Sequence, residues 1–156
     1  MLRSAAALVD GGRAGTLSRL EEVLEFAQSQ GYKKLGLAYC WGLEDLAISL
    51  LKIIKTRGLS ATAVSCTVGA EPQSALNSAS KRSGVACNPI GQAHQLHAEG
   101  VDFAVQVGLC LGHDVLFTRE FQGDQTTLIV KDRKFAHNPL LGVESLSKFD
   151  LLSRTV

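Results

Sequence analysis

Strand-like segments alternate with amphipathic segments of helical period along most of this chain. From Thr16, leucine, valine and alanine recur at helical spacing as far as Gly31, and a strand-like run follows directly. Helical patterns then separate four such runs, which are 35–40, 59–66, 101–109 and 126–132. Alternation of this kind is typical of a parallel sheet whose crossover helices cover both faces. We therefore predict an α/β protein with a small parallel sheet of about four to five strands and helices on both faces, a Rossmann-like or flavodoxin-like three-layer sandwich.

The length and composition predict a single domain. The chain has 156 residues, of which 46% are hydrophobic and 20% charged, as in ordinary globular proteins. We predict one α/β domain over residues 1–156. Within it, residues 1–15 form an N-terminal arm or partial first strand, and residues 140–156 form a tail or short helix. The polar segment 67–84 is predicted to be a loop, with one helical turn near Glu71.

Charge and hydropathy narrow the expected partners. Sixteen basic and fifteen acidic side chains give a net charge of +1, without a block of like charge, and 6% of the residues are aromatic. Nucleic-acid surfaces need basic patches, and single strands also need stacking aromatics, so no nucleic-acid partner is expected. The apolar stretch 4–9 is too short for a secretion signal or a membrane span, so we expect no membrane partner and a cytoplasmic location. An exposed apolar sheet edge is compatible with a homodimer.

The four cysteines fall at equivalent places in the predicted topology. Cys40, Cys66 and Cys110 end the first three strands, and Cys87 precedes a helix in a loop. Loops that follow parallel strands share one edge of the sheet, and ligands bind there, where the strand order reverses. A lone buried cysteine usually acts as a small hydrophobe. Four at one edge, in a reducing compartment, instead predict a shared thiolate-rich site.

Thiolates are soft metal ligands as well as nucleophiles, and helix N-termini favour the ionised form. Four sulfur atoms suit a tetrahedral zinc or an iron–sulfur cluster, and the sequence leaves the choice between these two cofactors open. The predicted metal ligands are Cys40, Cys66, Cys87 and Cys110. His113 follows Cys110 by three residues, and His137 lies just past the fourth strand. These histidines would be additional ligands, neighbours of the ligands or proton carriers.

Two other functions remain open at this point. Cys110 lies between Gly108 and Gly112, an arrangement similar to the strand-to-helix turn that presents a nucleophile. The chain could therefore be a cysteine-dependent redox or sulfur-transfer enzyme, with Cys110 as nucleophile and His113 or His137 as base. It could also be a module that binds a small molecule in a pocket lined by the cysteines. Glycine-rich nucleotide motifs are absent, and no pattern names a substrate or a reaction, so whether the chain is an enzyme stays open.

Three motifs carry a family resemblance. They are Cys87-Asn-Pro-Ile-Gly-Gln-Ala, Gly108-Leu-Cys-Leu-Gly-His-Asp-Val-Leu-Phe, and Thr127-Leu-Ile-Val-Lys-Asp-Arg with His137-Asn-Pro. The region 31–139 resembles a domain of unknown function whose members are described as cysteine-rich metal-binding proteins, largely of anaerobic bacteria and archaea. In that family, cysteines and histidines recur at the positions already named.

The chain departs from the family pattern in two places. Many relatives carry a further cysteine cluster before the first helix, and this chain has none there. Relatives often have lysine after the second-strand cysteine, where this chain has Thr67. The resemblance therefore implies that any metal site here is built from the four remaining cysteines.

Overall fold

The computed structural model describes residues 1–81 and 83–147. Single 3-10 turns lie at Asp10–Gly12 and Trp41–Leu43. The strands are β1 (Lys34–Tyr39), β2 (Ser60–Ser65), β3 (Phe103–Val107) and β4 (Asp124–Ile129). The helices are α1 (Leu2–Ala7), α2 (Arg19–Gln30), α3 (Glu44–Thr56), α4 (Gln73–Leu76), α5 (Pro89–Ala98), α6 (His113–Glu120) and α7 (Pro139–Ser147).

Within the described residues, the four strands form one sheet in the order β2-β1-β3-β4. All three strand pairings are parallel, with Ala38 of β1 opposite Val64 of β2 and Gln106 of β3. The chain first adds β2 on one side of β1 and then crosses to add β3 and β4 on the other. The strand order therefore reverses between β1 and β3, and their carboxyl ends form the crevice where such sheets bind ligands.

Helices cover both faces of the sheet, because both faces of the central strands are apolar. On one face, Leu24 of α2 and Leu50 of α3 belong to the same buried cluster as Leu37. On the other face, Leu96 of α5 and Phe117 of α6 pack with the opposite side of the sheet. This arrangement confirms the predicted α/β class, with a small parallel sheet between two helical layers.

Local signals explain where the helices begin and end. Ser18 and Glu21 form a reciprocal capping box at the start of α2, and Gly31 ends that helix with a φ of +75°. Asn88 caps α5 by accepting a hydrogen bond from the Gly91 N–H, and Pro89 occupies the first turn. The helix that carries the Cys87 motif is therefore anchored at its N-terminus.

The predicted element bounds differ from the structure mainly at the chain ends. The partial strand suggested within residues 1–15 is wrong, since Leu2–Ala7 is helical. The helical turn predicted near Glu71 is α4, which begins at Gln73. The closing helix is α7, and the rest of the predicted tail, 148–156, lies outside the described residues. No helix in the described part of the chain has both the length and the apolar character needed to cross a membrane.

Candidate functional site

The backbone brings three cysteine-bearing segments together at the carboxyl edge of the sheet. Cys40 follows β1, and its N–H donates to the carbonyl of Val107 at 3.1 Å. Cys66 follows β2, and its N–H donates to the carbonyl of Tyr39 at 2.8 Å. The carbonyl of Cys66 in turn accepts the N–H of Asn88 at 2.7 Å, which places Cys87 beside it. Backbone hydrogen bonding thus continues one residue past the ends of the strands and fixes the backbone positions of all three cysteines.

The side chains of Cys40, Cys66 and Cys87 form a group that we call the thiol cluster. The Sγ atoms of Cys66 and Cys87 are 3.6 Å apart, within the distance of an S–H···S hydrogen bond. The sulfur of Cys66 also lies close enough to Cys40 to lower the pKa of that thiol. In addition, Cys66 Sγ accepts the backbone N–H of Trp41 at 3.4 Å. Cys66 is therefore the centre of the cluster, and it is 2% exposed.

A cavity of about 230 Å³ opens in front of the thiol cluster. We call it the thiol cavity, and its lining residues are Cys40, Trp41, Gln73, Leu76, Cys87, Cys110, His113 and Arg133. Two members of the cluster and the fourth cysteine thus share one cavity, with Cys66 buried behind its wall. The cavity lies at the crevice between β1 and β3, where strand order predicts a ligand site.

The thiols of the cluster differ in acidity because their surroundings differ. Burial opposes ionisation of Cys40, but the Gly42 N–H, the Lys131 ammonium and the neighbouring Cys66 outweigh it and hold the pKa of Cys40 below its ordinary value. Burial raises the pKa of Cys66 to about 12, and the proximity of Cys87 and Cys40 adds to this effect, against the Trp41 N–H. In the metal-free cluster, Cys40 therefore ionises more readily than Cys66.

The fourth cysteine has a cationic partner of its own. Arg133 Nη2 lies 3.0 Å from Cys110 Sγ and donates a hydrogen bond to it. The carbonyl of Cys110 accepts the N–H of His113 at 2.8 Å, which starts α6. The His113 side chain lines the thiol cavity. The guanidinium group thus gives the Cys110 sulfur a positively charged hydrogen-bond donor.

His137 lies in the turn that follows β4. Its N–H donates to the carbonyl of Asp132 at 2.8 Å, and its Nδ1 accepts the Asp132 N–H at 3.2 Å. These two bonds close the turn that carries Arg133, and His137 adopts a φ of +67° there. The structure thus groups four cysteines and His113 around the thiol cavity, and places His137 where it holds the loop that carries Arg133.

Three residues that contact or support the candidate site were not predicted from the sequence. Lys131 and Arg133 follow β4 and supply the cations beside Cys40 and Cys110. Gln92 is fully buried on α5, and its Nε2 donates to the carbonyls of Tyr39 at 3.1 Å and Val64 at 2.7 Å. Gln92 therefore ties together the two strand ends that carry the thiol cluster. Gln92 lies inside the Cys87 motif on the buried face of α5, but which strand ends its amide reaches depends on how α5 packs.

Glycine is required where β3 leaves the sheet. Gly108 has a φ of +62°, and a Cβ at this position would overlap Leu43 Cδ1. Leu43 ends the 3-10 turn that follows Cys40. The Leu43 side chain therefore occupies the space that a Cβ at residue 108 would take, and the positive φ favours glycine there.

The donor chemistry of the site fits a thiophilic metal in part. A tetrahedral zinc with Zn–S bonds of about 2.3 Å separates its sulfur ligands by about 3.8 Å. The Cys66–Cys87 separation of 3.6 Å is close to that value. Among residues 1–81 and 83–147, however, no group of three or more His, Cys, Asp or Glu side chains is arranged to hold a metal ion. Within the described residues, the side chains supply one sulfur pair at a suitable distance without forming a complete ligand set.

The fold and this cavity define a class of protein, a small parallel α/β domain with thiols and cations gathered at the carboxyl edge of its sheet. Residues 1–128 match the family described as "protein of unknown function (DUF1847)", and the chain belongs to this family. Membership of a family of unknown function, which the motifs indicated, is thereby confirmed, and the family description names neither cysteine-rich metal binding nor anaerobic organisms.

The chain is also similar to a curated relative, the uncharacterized protein MJ0455 of Methanocaldococcus jannaschii. The two are 41% identical over 126 residues, which cover 78% of this chain and 64% of the relative. The chain thus spans less than two thirds of that protein's length. No solved structure matches the chain.

Proposed function

We propose that this chain binds a thiophilic metal, as a zinc ion or an iron–sulfur cluster, through the thiolates of Cys40, Cys66 and Cys87, with Cys110 as the fourth ligand. The observation that carries the proposal is the grouping of three thiols from three separate loops: Cys40 and Cys87 line one cavity, and Cys66 lies directly behind its wall. A core that used cysteine only as a small hydrophobe has no reason to place sulfur against sulfur. A site that binds a thiophilic metal does bring its sulfur ligands together.

The charges around the cavity support this proposal. Four thiolates around a divalent ion carry a net charge of about −2, and burying it is costly without compensation. The Lys131 ammonium lies beside Cys40, and the Arg133 guanidinium donates to Cys110. These two cations offset that charge and orient the sulfur atoms they contact. When bound, the metal would supply Lewis-acid or electron-transfer chemistry. His113, on the cavity wall, is the nearest proton carrier that we assign to the site.

Metal analysis of protein purified without oxygen tests the proposal. We expect about one equivalent of zinc, or iron with a visible absorption band, and a content below half in Cys40→Ser, Cys66→Ser and Cys87→Ser. Gln73→Ala is the matched control, since Gln73 lines the same cavity and has no sulfur ligand to contribute. A colourless wild-type protein with less than about half an equivalent of any transition metal would sink the proposal. A cytoplasmic location belongs to the proposal too, because a reducing compartment keeps the cysteines as thiols.

The second candidate is a cysteine-dependent redox or sulfur-transfer enzyme. The specific observation in its favour is that two thiols on the cavity lining each have a cation beside them. Lys131 lies beside Cys40, which follows β1, and Arg133 lies beside Cys110, which comes after β3. His113 shares that cavity and is the better placed base, since His137 is engaged in the turn after β4. This candidate predicts that one of these two thiols is alkylated at least tenfold faster than Cys66 near neutral pH. Equal, slow alkylation of all four cysteines contradicts it.

A further inference from the structure

A long loop leaves the sheet at Cys66 and returns at Cys87. We call residues 67–86 the Cys-bracketed loop; the structure describes all of it except residue 82. Backbone hydrogen bonds close its base, where the Asn88 N–H reaches the Cys66 carbonyl at 2.7 Å and the Ala86 N–H reaches the Glu71 carbonyl at 2.7 Å. The two sulfur atoms at the same base are 3.6 Å apart. The loop is thus closed by hydrogen bonds at a point where a covalent bond could form.

The Cys-bracketed loop forms one wall of the thiol cavity. It carries α4, from which Gln73 and Leu76 line that cavity. Leu76 is 67% exposed, so the loop packs only partly against the rest of the protein. A change at the base of the loop therefore acts on the cavity directly.

The two cysteines at the base differ in access. Cys87 is half-buried and lines the cavity, so a small molecule in the cavity reaches its sulfur. Cys66 is 2% exposed and lies behind the wall. A small-molecule disulfide in the cavity therefore reaches Cys87 before Cys66. Cys66 contacts the Cys87 sulfur and can complete a thiol–disulfide exchange there.

The other sulfur contact of Cys66 is less suited to bond formation. Cys40 and Cys66 sit on neighbouring strand ends, and the Cys66 N–H to Tyr39 carbonyl bond holds their backbones at sheet spacing. The Cys40 sulfur is also engaged by the Gly42 N–H and by Lys131. A disulfide requires the sulfur atoms to approach to about 2.05 Å. Cys87, which ends a partly packed loop, moves toward Cys66 more easily than Cys40 does.

We propose that Cys66 and Cys87 are a dithiol–disulfide pair that is oxidised by small-molecule disulfides and locks the base of the Cys-bracketed loop. The Cys87 thiolate attacks one sulfur of the small disulfide, whose S–S bond breaks, and the first small thiol leaves. Cys66, after losing its proton to solvent, attacks the Cys87 sulfur, and the second small thiol leaves. The two cysteines are oxidised to one disulfide, the small disulfide is reduced to two thiols, and these take up the two protons. A second consequence rests on the proposed function: oxidation removes two thiolate ligands and releases the metal.

The test uses the full chain, freed of metal with a chelator, in anaerobic buffers with varied ratios of oxidised to reduced glutathione. After acid quenching and alkylation, peptide mass spectrometry maps the disulfides. We expect a Cys66–Cys87 disulfide that forms with the loss of two free thiols per chain and is reversed by excess reduced glutathione. Cys110→Ser is the matched control and keeps this disulfide, whereas Cys87→Ser loses it and leaves Cys66 unmodified.

Three results overturn the proposal. They are four free thiols in fully oxidised glutathione, a glutathione adduct on Cys87 that never resolves, and a disulfide that maps to Cys40 and Cys66. Because the mapping uses metal-free protein, its outcome is independent of the proposed metal site. A separate arm loads the wild-type chain with zinc and follows release with a chelating dye. Release of about one zinc per disulfide supports the second consequence, and retention of zinc in the oxidised chain overturns it. A chain that takes up no zinc contradicts only the zinc form of the proposed function.

Discussion

The pH dependence of stability follows from the burial of Cys66. Its pKa in the folded, metal-free protein is raised from the ordinary 9.0 to about 12, mainly by burial. Below pH 9 the thiol is protonated in both the folded and the unfolded chain, so its contribution to stability is fully present. As the pH rises from 9 toward 12, the unfolded chain loses this proton and the folded chain keeps it. Stability is therefore lost over this window.

The size of the effect can be calculated from the shift. Each pH unit between the two pKa values costs about 1.4 kcal/mol. Raising the pH from about 8 to about 10.5 spans roughly one and a half units above the ordinary pKa, so about 2 kcal/mol should be lost through Cys66 alone. Other groups, such as Tyr32, whose burial raises its pKa to about 12, add to the total loss. A comparison with Cys66→Ala removes those shared contributions.

The assay is urea unfolding of chelator-treated protein at the two pH values, with wild type and Cys66→Ala side by side. Wild type should lose about 2 kcal/mol more of its unfolding free energy than Cys66→Ala between them. An equal loss in both proteins would refute the argument that burial keeps the Cys66 proton in place. With zinc bound, the excess loss should disappear, because a metal ligand is already a thiolate in the folded state.

Three further perturbations probe the surroundings of the thiol cluster. Gln92→Met removes two hydrogen bonds of about 1 kcal/mol each at the strand ends, so the alkylation rate of the thiol cluster, followed by mass spectrometry, should increase. The control is Gln106→Met, which removes an amide that bonds Thr118 and Gln125 and should leave this rate unchanged. Lys131→Met removes an interaction that lowers the pKa of Cys40, so the pH midpoint of Cys40 alkylation should rise. Gly108→Ala places a Cβ against Leu43 in a backbone with positive φ, so the unfolding free energy measured in urea should fall by about 2–4 kcal/mol. Gly31→Ala has positive φ but open space around the Cβ, so the loss there should be only about 1–2 kcal/mol.

The fold and the position of the site could be predicted from the sequence because both depend on local patterns. Hydrophobic period separated helices from strands, and the parallel topology followed from their alternation. Cys40 and Cys66 stand directly after β1 and β2, so the edge they share follows from chain order alone. The short α1 was missed because its six residues lack a capping side chain and any buried residue.

The parts that could not be predicted depend on side-chain direction across the fold. Lys131 and Arg133 come from the segment after β4, and their contacts with Cys40 and Cys110 exist only once β4 lies beside β3. Gln92 reads as an ordinary polar helix residue until α5 is placed over the ends of β1 and β2. The depth of Cys66 behind the cavity wall likewise follows from packing, which a strand-end position does not specify.

The order of the strands has a consequence for how the protein matures. β4 lies at one edge of the sheet and is the last of the four described strands to be synthesised, and the cations that meet Cys40 and Cys110 follow it in the chain. A nascent chain therefore holds all four thiols before either cation has reached them. In the finished protein, an edge strand is an element that can detach without global unfolding. Detachment of β4 would take Lys131 away from Cys40, and the pKa of that thiol would then rise.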